Sequence, residues 1–169
     1  MNDRVFIDTN VFVYADDAGA GPKQARARAV IAPLLLSRRA VVSTQVMQEY
    51  FNTAVRKLGL PAERARWRVE ALARLEVVVI RPELILGAID LHRLNGISLW
   101  DALVIKCASV AGCSTVLTED LKSGQTIDGV RIENPFAQPS RSQEPRGRYQ
   151  VKAARPAPPK VRRTARKAR

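Results

Sequence analysis

The sequence is poor in the residues that build many metal and disulfide sites. Of its 169 residues, one is histidine and two are cysteine. The single histidine, His92, excludes a histidine-rich zinc site and a two-histidine acid–base mechanism, and we expect it on a helix surface. Cys107 and Cys113 are too few for a disulfide framework, and their apolar surroundings predict that they pack as small buried residues. Aromatic residues make up only 5%, which argues against a base-stacking platform.

The sequence also lacks a long hydrophobic run. Its most apolar stretch, residues 29–36, is too short to span a bilayer and contains Pro33. Asp3 and Asp8 interrupt the region where the apolar core of a signal peptide would lie. We therefore expect no membrane segment and a cytoplasmic protein.

Positive charge is abundant but unevenly distributed. The net charge is +12, and residues 138–169 contain eleven Lys and Arg, one acidic residue and five of the ten prolines, which leaves +2 for residues 1–137. We therefore predict a folded domain at 1–137 and a basic, disordered tail at 138–169. Its cations would attract phosphates without sequence preference. A purely solubilising role is the alternative. The tail residues that we single out as nucleic-acid contacts are Arg162, Arg163, Arg166 and Lys167.

The first 137 residues read as alternating strands and helices. Short β-branched runs predict strands, and apolar residues at helical spacing predict the helices between them. The predicted strands are 4–7, 40–42, 77–80, 115–118 and 130–132, and the predicted helices are 10–15, 22–36, 44–59, 61–75, 82–94 and 99–111. This alternation favours a mostly parallel sheet covered on both faces, with ligands beyond the carboxyl ends of its strands.

Acidic residues stand at those strand ends. Asp8 follows the first predicted strand, and Asp120 follows the strand at 115–118. If the two strands are parallel neighbours, their carboxylates converge. Asp101, near a helix start, would lie on the same rim. Clustered carboxylates repel one another, so they persist with a cation or a raised pKa, and their oxygens suit Mg²⁺ or Mn²⁺.

Each acid also has a simpler interpretation. Asp8 could cap the helix that follows it, and Asp120 could be a solvated turn residue. The segment from Ser98 to Asp101 fits a capping box with Asp in place of Glu. Glu49 is not selected by periodicity, because we expect it to point away from the apolar stripe of its helix. That stripe is Met47, Tyr50, Phe51, Ala54 and Leu58.

At these positions the sequence resembles a PIN-domain ribonuclease of the VapC toxin type. The resemblance covers about residues 4–136. Its pieces occur in order as Phe6–Asn10, Glu49, Ser98–Leu103, Leu117–Leu121 and Gly129–Phe136. It implies an α/β/α sandwich whose parallel sheet has about five strands. It also implies endonucleolytic cleavage of RNA with Mg²⁺ or Mn²⁺, a homodimer, and a small antitoxin partner.

The resemblance also assigns roles to individual residues. It makes Asp8, Glu49, Asp101 and Asp120 the catalytic acids, and Asp8, Asp101 and Asp120 the metal ligands. It places Thr9, Asn10 and Thr118 beside them as supporting groups. The long basic tail departs from the usual toxin pattern.

Two alternatives remain open on the sequence alone. A non-catalytic nucleic-acid-binding protein would use the basic tail, with the domain as a scaffold. A DNA nuclease would use the same metal chemistry, because no recognisable residue pattern reads a ribose 2′-hydroxyl. The preference for RNA rests on the resemblance.

Overall fold

The computed structural model describes residues 3–137 of the chain. Helices and strands alternate along this range. They are β1 (Val5–Ile7), α1 (Thr9–Asp16), α2 (Pro22–Leu36), β2 (Ala40–Ser43), α3 (Thr44–Arg56), α4 (Ala62–Leu72), β3 (Glu76–Val78), α5 (Pro82–Asn95), α6 (Leu99–Val110), β4 (Thr115–Leu117), β5 (Thr126–Ile127) and β6 (Val130–Glu133). The predicted tail contacts at Arg162, Arg163, Arg166 and Lys167 lie outside the described residues.

The strands form one sheet in the order β3-β2-β1-β4-β6-β5. Every neighbouring pair is parallel except β5 and β6, which are antiparallel. The predicted α/β fold with a mostly parallel sheet is confirmed. The sheet has six strands rather than the expected five. The sequence did not predict β5, because this strand has only two residues and leaves no periodic pattern.

The strand order fixes where the helices lie. Connections between parallel strands are right-handed, so a chain that moves from β1 to β2 to β3 places the intervening helices on one face. The return from β3 to β4 reverses direction and places α5 and α6 on the other face. The packing agrees, since α1 contacts α2 and α3, α3 contacts α4, and α5 contacts α6. The order therefore reverses between β1 and β4, which is where open α/β sheets bind ligands.

The core lies on both faces of the central strands. Phe6, Val41, Val116 and Ile132, from four adjacent strands, are 0–1% exposed. By contrast, β3 lies at the edge of the sheet. Its side chains are exposed or only half-buried, although two of its three residues are the β-branched Val77 and Val78. Burial on two faces thus holds β1, β2, β4 and β6 in a fixed register, and their carboxyl ends form a rigid rim.

The two cysteines and the single histidine lie where the sequence predicted them. Cys107 and Cys113 are buried free thiols, and burial raises their pKa values to about 11 and about 12. His92 is exposed on α5. Within residues 3–137 the structure has no helix that is both long and apolar enough to cross a membrane.

Candidate active site

Asp8 lies where β1 ends and α1 begins. Its backbone N–H donates to the carbonyl of Leu117 at 3.0 Å, which continues the pairing of β1 with β4. Its side chain accepts from the backbone N–H of Thr9 at 2.7 Å and caps α1. The capping interpretation therefore describes a local role of Asp8 correctly. The same residue is only 6% exposed and stands at the point where the strand order reverses.

A side-chain network joins Asp8 to Asp120. The Thr118 hydroxyl donates to Asp8 Oδ2 at 2.7 Å. The Asn10 amide donates to the same oxygen at 3.2 Å and to Asp120 Oδ2 at 2.9 Å. Thr118 also accepts from the backbone N–H of Asp120 at 3.2 Å. The ends of β1 and β4 thus bring these two carboxylates together through Asn10 and Thr118.

Glu49 joins the same network from α3. The Thr9 hydroxyl donates to Glu49 Oε2 at 2.8 Å, and the Gln45 amide donates to Oε1 at 2.9 Å. Both carboxylate oxygens therefore have a donor. Thr9 connects Glu49 to Asp8, because the Asp8 side chain accepts from the Thr9 backbone.

The expected orientation of Glu49 is wrong. The buried residues of α3 include Val46, Tyr50 and Ala54, whereas Phe51 is 39% exposed. The buried face is therefore rotated away from Phe51 and towards Glu49, which is half-buried at its border. The apolar character of Phe51 misled the sequence pattern, because an aromatic side chain at a helix surface has the same hydropathy as one in the core.

Asp101 lies in the first turn of α6 and has two roles. Its backbone N–H donates to Ser98 Oγ at 3.1 Å, and its carboxylate accepts from the Ser98 hydroxyl at 2.6 Å. The predicted capping interaction is therefore present. Burial raises the Asp101 pKa, and the negative charges of Asp120 and Glu49 raise it further. Asp101 thus bonds to Ser98, the N-cap of α6, and still lies within electrostatic reach of Asp120 and Glu49.

Burial and charge oppose the ionisation of Asp8. Burial raises its pKa, and the Thr118 and Thr9 hydrogen bonds oppose this change. The charges of Asp120 and Glu49 add to the increase, and the resulting pKa is about 6. A carboxyl group in this state gains from any nearby cation, because a cation stabilises the ionised form.

Three of the four predicted acids face an open cavity of about 520 Å³ between α1 and α3, and Asp101 is not part of its lining. Asp8, Glu49 and Asp120 line one part of it, and Asn52 and Lys57 line another. The cavity is large enough to admit part of a polymeric substrate. Its carboxylates lie at the end of the cavity next to the sheet.

A second cluster at the rim was not predicted from the sequence. The Tyr14 hydroxyl donates to Glu119, and Lys23 Nζ pairs with Glu119 Oε2 at 2.6 Å. Lys23 also lies 4.3 Å above the Tyr14 ring, which packs edge-on against Phe136. Lys23 therefore balances the charge of Glu119, whereas no cation among residues 3–137 forms an ion pair with its neighbour Asp120. Lys23 and Glu119 are far apart in sequence, so only the folded chain reveals the pair.

The donor set fits a hard divalent cation in its chemistry. Asp8, Glu49, Asp101 and Asp120 offer carboxylate oxygens, which Mg²⁺ and Mn²⁺ prefer. The buried Oδ1 of Asn10 accepts no hydrogen bond from the described residues. No three acidic, histidine or cysteine side chains in the described part of the chain are placed to hold a metal jointly as they stand. Asp120 is exposed, so side-chain rotation can tighten the set.

Comparison with solved structures finds similar folds in toxin–antitoxin proteins. The chain is similar to a toxin–antitoxin complex from Klebsiella pneumoniae (TM-score 0.59, 17% identity, 78% of this chain and 98% of that chain covered). It is also similar to DNA-bound VapBC from Salmonella typhimurium (0.57, 22%, 79% and 98%). A third similar structure is Mycobacterium tuberculosis VapC20, a toxin that cleaves the sarcin–ricin loop (0.54, 20%, 66% and 86%). At these identities the likeness establishes the fold.

Comparison with families gives a direct assignment. No curated protein sequence matches the chain significantly. The model of the PIN domain family matches residues 5–125, a range that contains the four acids and the elements that carry them. The chain therefore belongs to the PIN domain family.

Proposed function

We propose that the protein is a metal-dependent endoribonuclease and the toxin of a toxin–antitoxin pair. The observation that carries this proposal is the meeting of Asp8, Glu49 and Asp120 in one hydrogen-bonded network at the strand-order reversal. Asp101 lies within electrostatic reach of that network. Membership of the PIN domain family supports a nuclease, and the VapC20 likeness supports RNA as the substrate class.

The metal ligands that we assign are Asp8, Asp101 and Asp120, with Glu49 completing the site. When bound there, Mg²⁺ or Mn²⁺ would lower the pKa of a water molecule and neutralise charge on the reacting phosphate. Mg²⁺ suits this role because it keeps several waters and binds substrate phosphates alongside one or two carboxylates.

The residues around these acids hold them in place. Asn10 keeps Asp8 and Asp120 together against their repulsion, and Thr118 donates to Asp8. Thr9 fixes Glu49. Glu49 and Asp120 would orient the attacking water, whose oxygen bonds to phosphorus as the bond to the leaving ribose oxygen breaks. The water would release one proton to solvent, and the leaving oxygen would take up one proton from solvent. Hydrogen bonds made before the reaction spare the site from reorganising during it.

The proposed partners follow from the similar structures. Several of these are complexes of a toxin with its antitoxin, which supports a small antitoxin as a partner of this chain. We also propose a homodimer, as in the VapC resemblance. The exposed apolar residues of α5, which include Ile85, Leu86 and Ile89, provide apolar surface for subunit contacts.

For the basic segment at 138–169 we propose contact with RNA outside the active site. Eleven cations against one acidic residue provide a sequence-independent attraction for phosphates. Five acidic residues and one cation, Lys57, line the cavity of the described domain, so added cations would offset the repulsion of the phosphates. Arg162, Arg163, Arg166 and Lys167 are the residues that we assign to this contact.

A cleavage assay tests the proposal. Total RNA is incubated with the full chain and Mn²⁺ or Mg²⁺, in parallel with Asp8→Asn and with EDTA. We expect discrete cleavage fragments from the wild type, and a loss of at least 100-fold in the variant and in EDTA. Asp90→Asn is the matched control, because Asp90 is an exposed acid on α5. We expect it to retain full activity.

Parallel arms of the same assay separate the alternatives. Full activity of Asp8→Asn would contradict the proposed site. Cleavage of single-stranded DNA in preference to RNA would indicate a DNA nuclease. Salt-sensitive binding that a chain ending at Ala137 loses, with no cleavage under any divalent ion, would indicate a non-catalytic binding protein.

A further inference from the structure

We propose that Gln45 is a positioning residue that holds the Glu49 carboxylate in its functional orientation and ties it to the start of α6. This inference rests on the proposed metal-dependent nuclease function. Gln45 stands one turn before Glu49 on α3, and the sequence patterns that point to the acids do not include it.

The contacts of Gln45 fix the orientation of its amide. Its Nε2 donates to Glu49 Oε1 at 2.9 Å and approaches the backbone carbonyl of Trp100 at 3.5 Å. Both neighbours are acceptors, so the nitrogen must face them and the oxygen must point away. Thr9 holds the other oxygen of Glu49 at 2.8 Å. Together the two donors restrain rotation of the Glu49 carboxylate.

The same amide bridges two elements of the site. Glu49 lies on α3, whereas Trp100 lies in the first turn of α6, directly before Asp101. The bridge therefore relates the position of the Glu49 carboxylate to that of the helix turn that carries Asp101. A side chain that fixes two catalytic acids relative to each other acts on the geometry of a metal site without touching the metal.

The burial of Gln45 argues that its amide serves the site rather than stability. The side chain is 4% exposed, and its buried Oε1 has no hydrogen-bond partner among the described residues. A buried acceptor without a partner weakens a fold, so an apolar side chain of the same length would suit the core better. Buried polar groups that lower stability are typical of functional sites.

A substitution cycle on the full chain tests this proposal. The variants are Gln45→Met, which keeps the length of the side chain and removes the donor, Glu49→Ala, and the two combined. Mn²⁺ affinity is measured by titration calorimetry, kcat by RNA cleavage, and Tm in EDTA. We expect Gln45→Met to weaken Mn²⁺ binding or lower kcat by about 10- to 100-fold, as loss of outer-shell partners of metal ligands typically does. We expect Tm to stay the same or rise.

The cycle separates positioning from packing. If Gln45 acts through Glu49, adding Gln45→Met to Glu49→Ala changes affinity and kcat less than twofold. A packing role would lower Tm and reduce activity equally in both backgrounds, and that result would overturn the proposal. Unchanged affinity and kcat in the single variant would also overturn it.

An NMR experiment on the metal-free chain distinguishes failure of this proposal from failure of the proposed nuclease function. In the NMR spectrum of the metal-free chain, the Gln45 side-chain amide protons should exchange slowly and should shift in Glu49→Ala. The Gln48 amide, on an exposed position of the same helix, is the internal control. Rapid exchange at Gln45 with no response to Glu49→Ala would show that the bond is absent, whether or not the protein cleaves RNA.

Discussion

Asp8 is a buried carboxyl group whose charge is unfavourable without a cation. Its pKa rises from 3.8 to about 6 on folding, so the native state binds a proton more tightly than the unfolded chain does. The stability that this proton provides is fully present below about pH 4 and is lost as the pH rises through about 6. A shift of this size corresponds to about 3 kcal/mol. The metal-free protein therefore has an unfavourable charge near neutral pH.

This charge predicts how Asp8→Asn affects stability. Asn caps a helix as well as Asp does, so the cap on α1 persists while the charge is removed. In EDTA, we expect the free energy of unfolding of the wild type to fall by about 2 kcal/mol relative to the variant between pH 4 and 6.5. Urea denaturation at several pH values measures this difference. Parallel pH dependences in the two proteins would show that Asp8 ionises normally.

Single residues at this site combine structural and functional roles. Asp8 caps α1, and Asp101 bonds to Ser98, the N-cap of α6, while both also belong to the acidic cluster. The sequence presents capping and catalysis as alternatives. In the structure a capping residue can also belong to the acidic cluster. Asp8 does so because α1 starts at the end of β1, which places its cap on the rim where ligands bind.

At the scale of elements, the start of α6 depends on Ser98. Its hydroxyl accepts from the Asp101 backbone and donates to the Asp101 carboxylate. We expect Ser98→Ala to lower the free energy of unfolding by about 1 kcal/mol, the usual value of an N-cap. The Asp101 carboxylate also loses a restraining bond, so we expect weaker Mn²⁺ binding. Urea denaturation and metal titration measure the two effects.

The matched control for this variant is Ser98→Thr, which keeps a hydroxyl at the cap. It should retain most of the stability and metal affinity. If Ser98→Ala leaves both quantities unchanged, Ser98 does not organise the start of α6. A loss of stability without a loss of affinity would show that Asp101 does not need Ser98 for its place in the site.

The elements also show where periodicity succeeds. Helix α2 has the predicted bounds, because Pro22 at its start and the loss of helical spacing after Leu36 are local features. For α3, periodicity identified the helix but not its buried face, since Phe51 is exposed and Gln45 is buried. Which face of a helix is buried depends on the elements that pack against it, here α1 and α4. The residues of α3 alone do not reveal where those elements lie.

At the scale of the whole molecule, the charge is divided between the acidic site and the basic segment. We expect replacement of Arg162, Arg163, Arg166 and Lys167 by Ser to weaken RNA binding and its salt dependence. Four lost phosphate contacts would reduce the slope of log K against log salt by up to about 3. Fluorescence anisotropy of single-stranded RNA at several salt concentrations measures this slope, and the Tm in EDTA is the control. An unchanged slope would exclude these residues as phosphate contacts.

The sequence by itself determined the alternation of strands and helices, the fold class, and the placement of Asp8 and Asp120 after strands. These features are local, because the hydropathy period of a segment and the end of a strand depend only on residues that are consecutive in sequence. For Asp101 and Glu49, the sequence supplied only the PIN-domain resemblance, since capping and helix periodicity favoured other roles.

Only the tertiary structure decided which side chains meet. It places β1 beside β4, so Asn10 can bridge Asp8 and Asp120 across more than a hundred residues. It rotates α3 so that Gln45 and Thr9 hold Glu49. These contacts depend on strand order and helix packing, which follow from burying the whole core at once. No window of sequence contains that information.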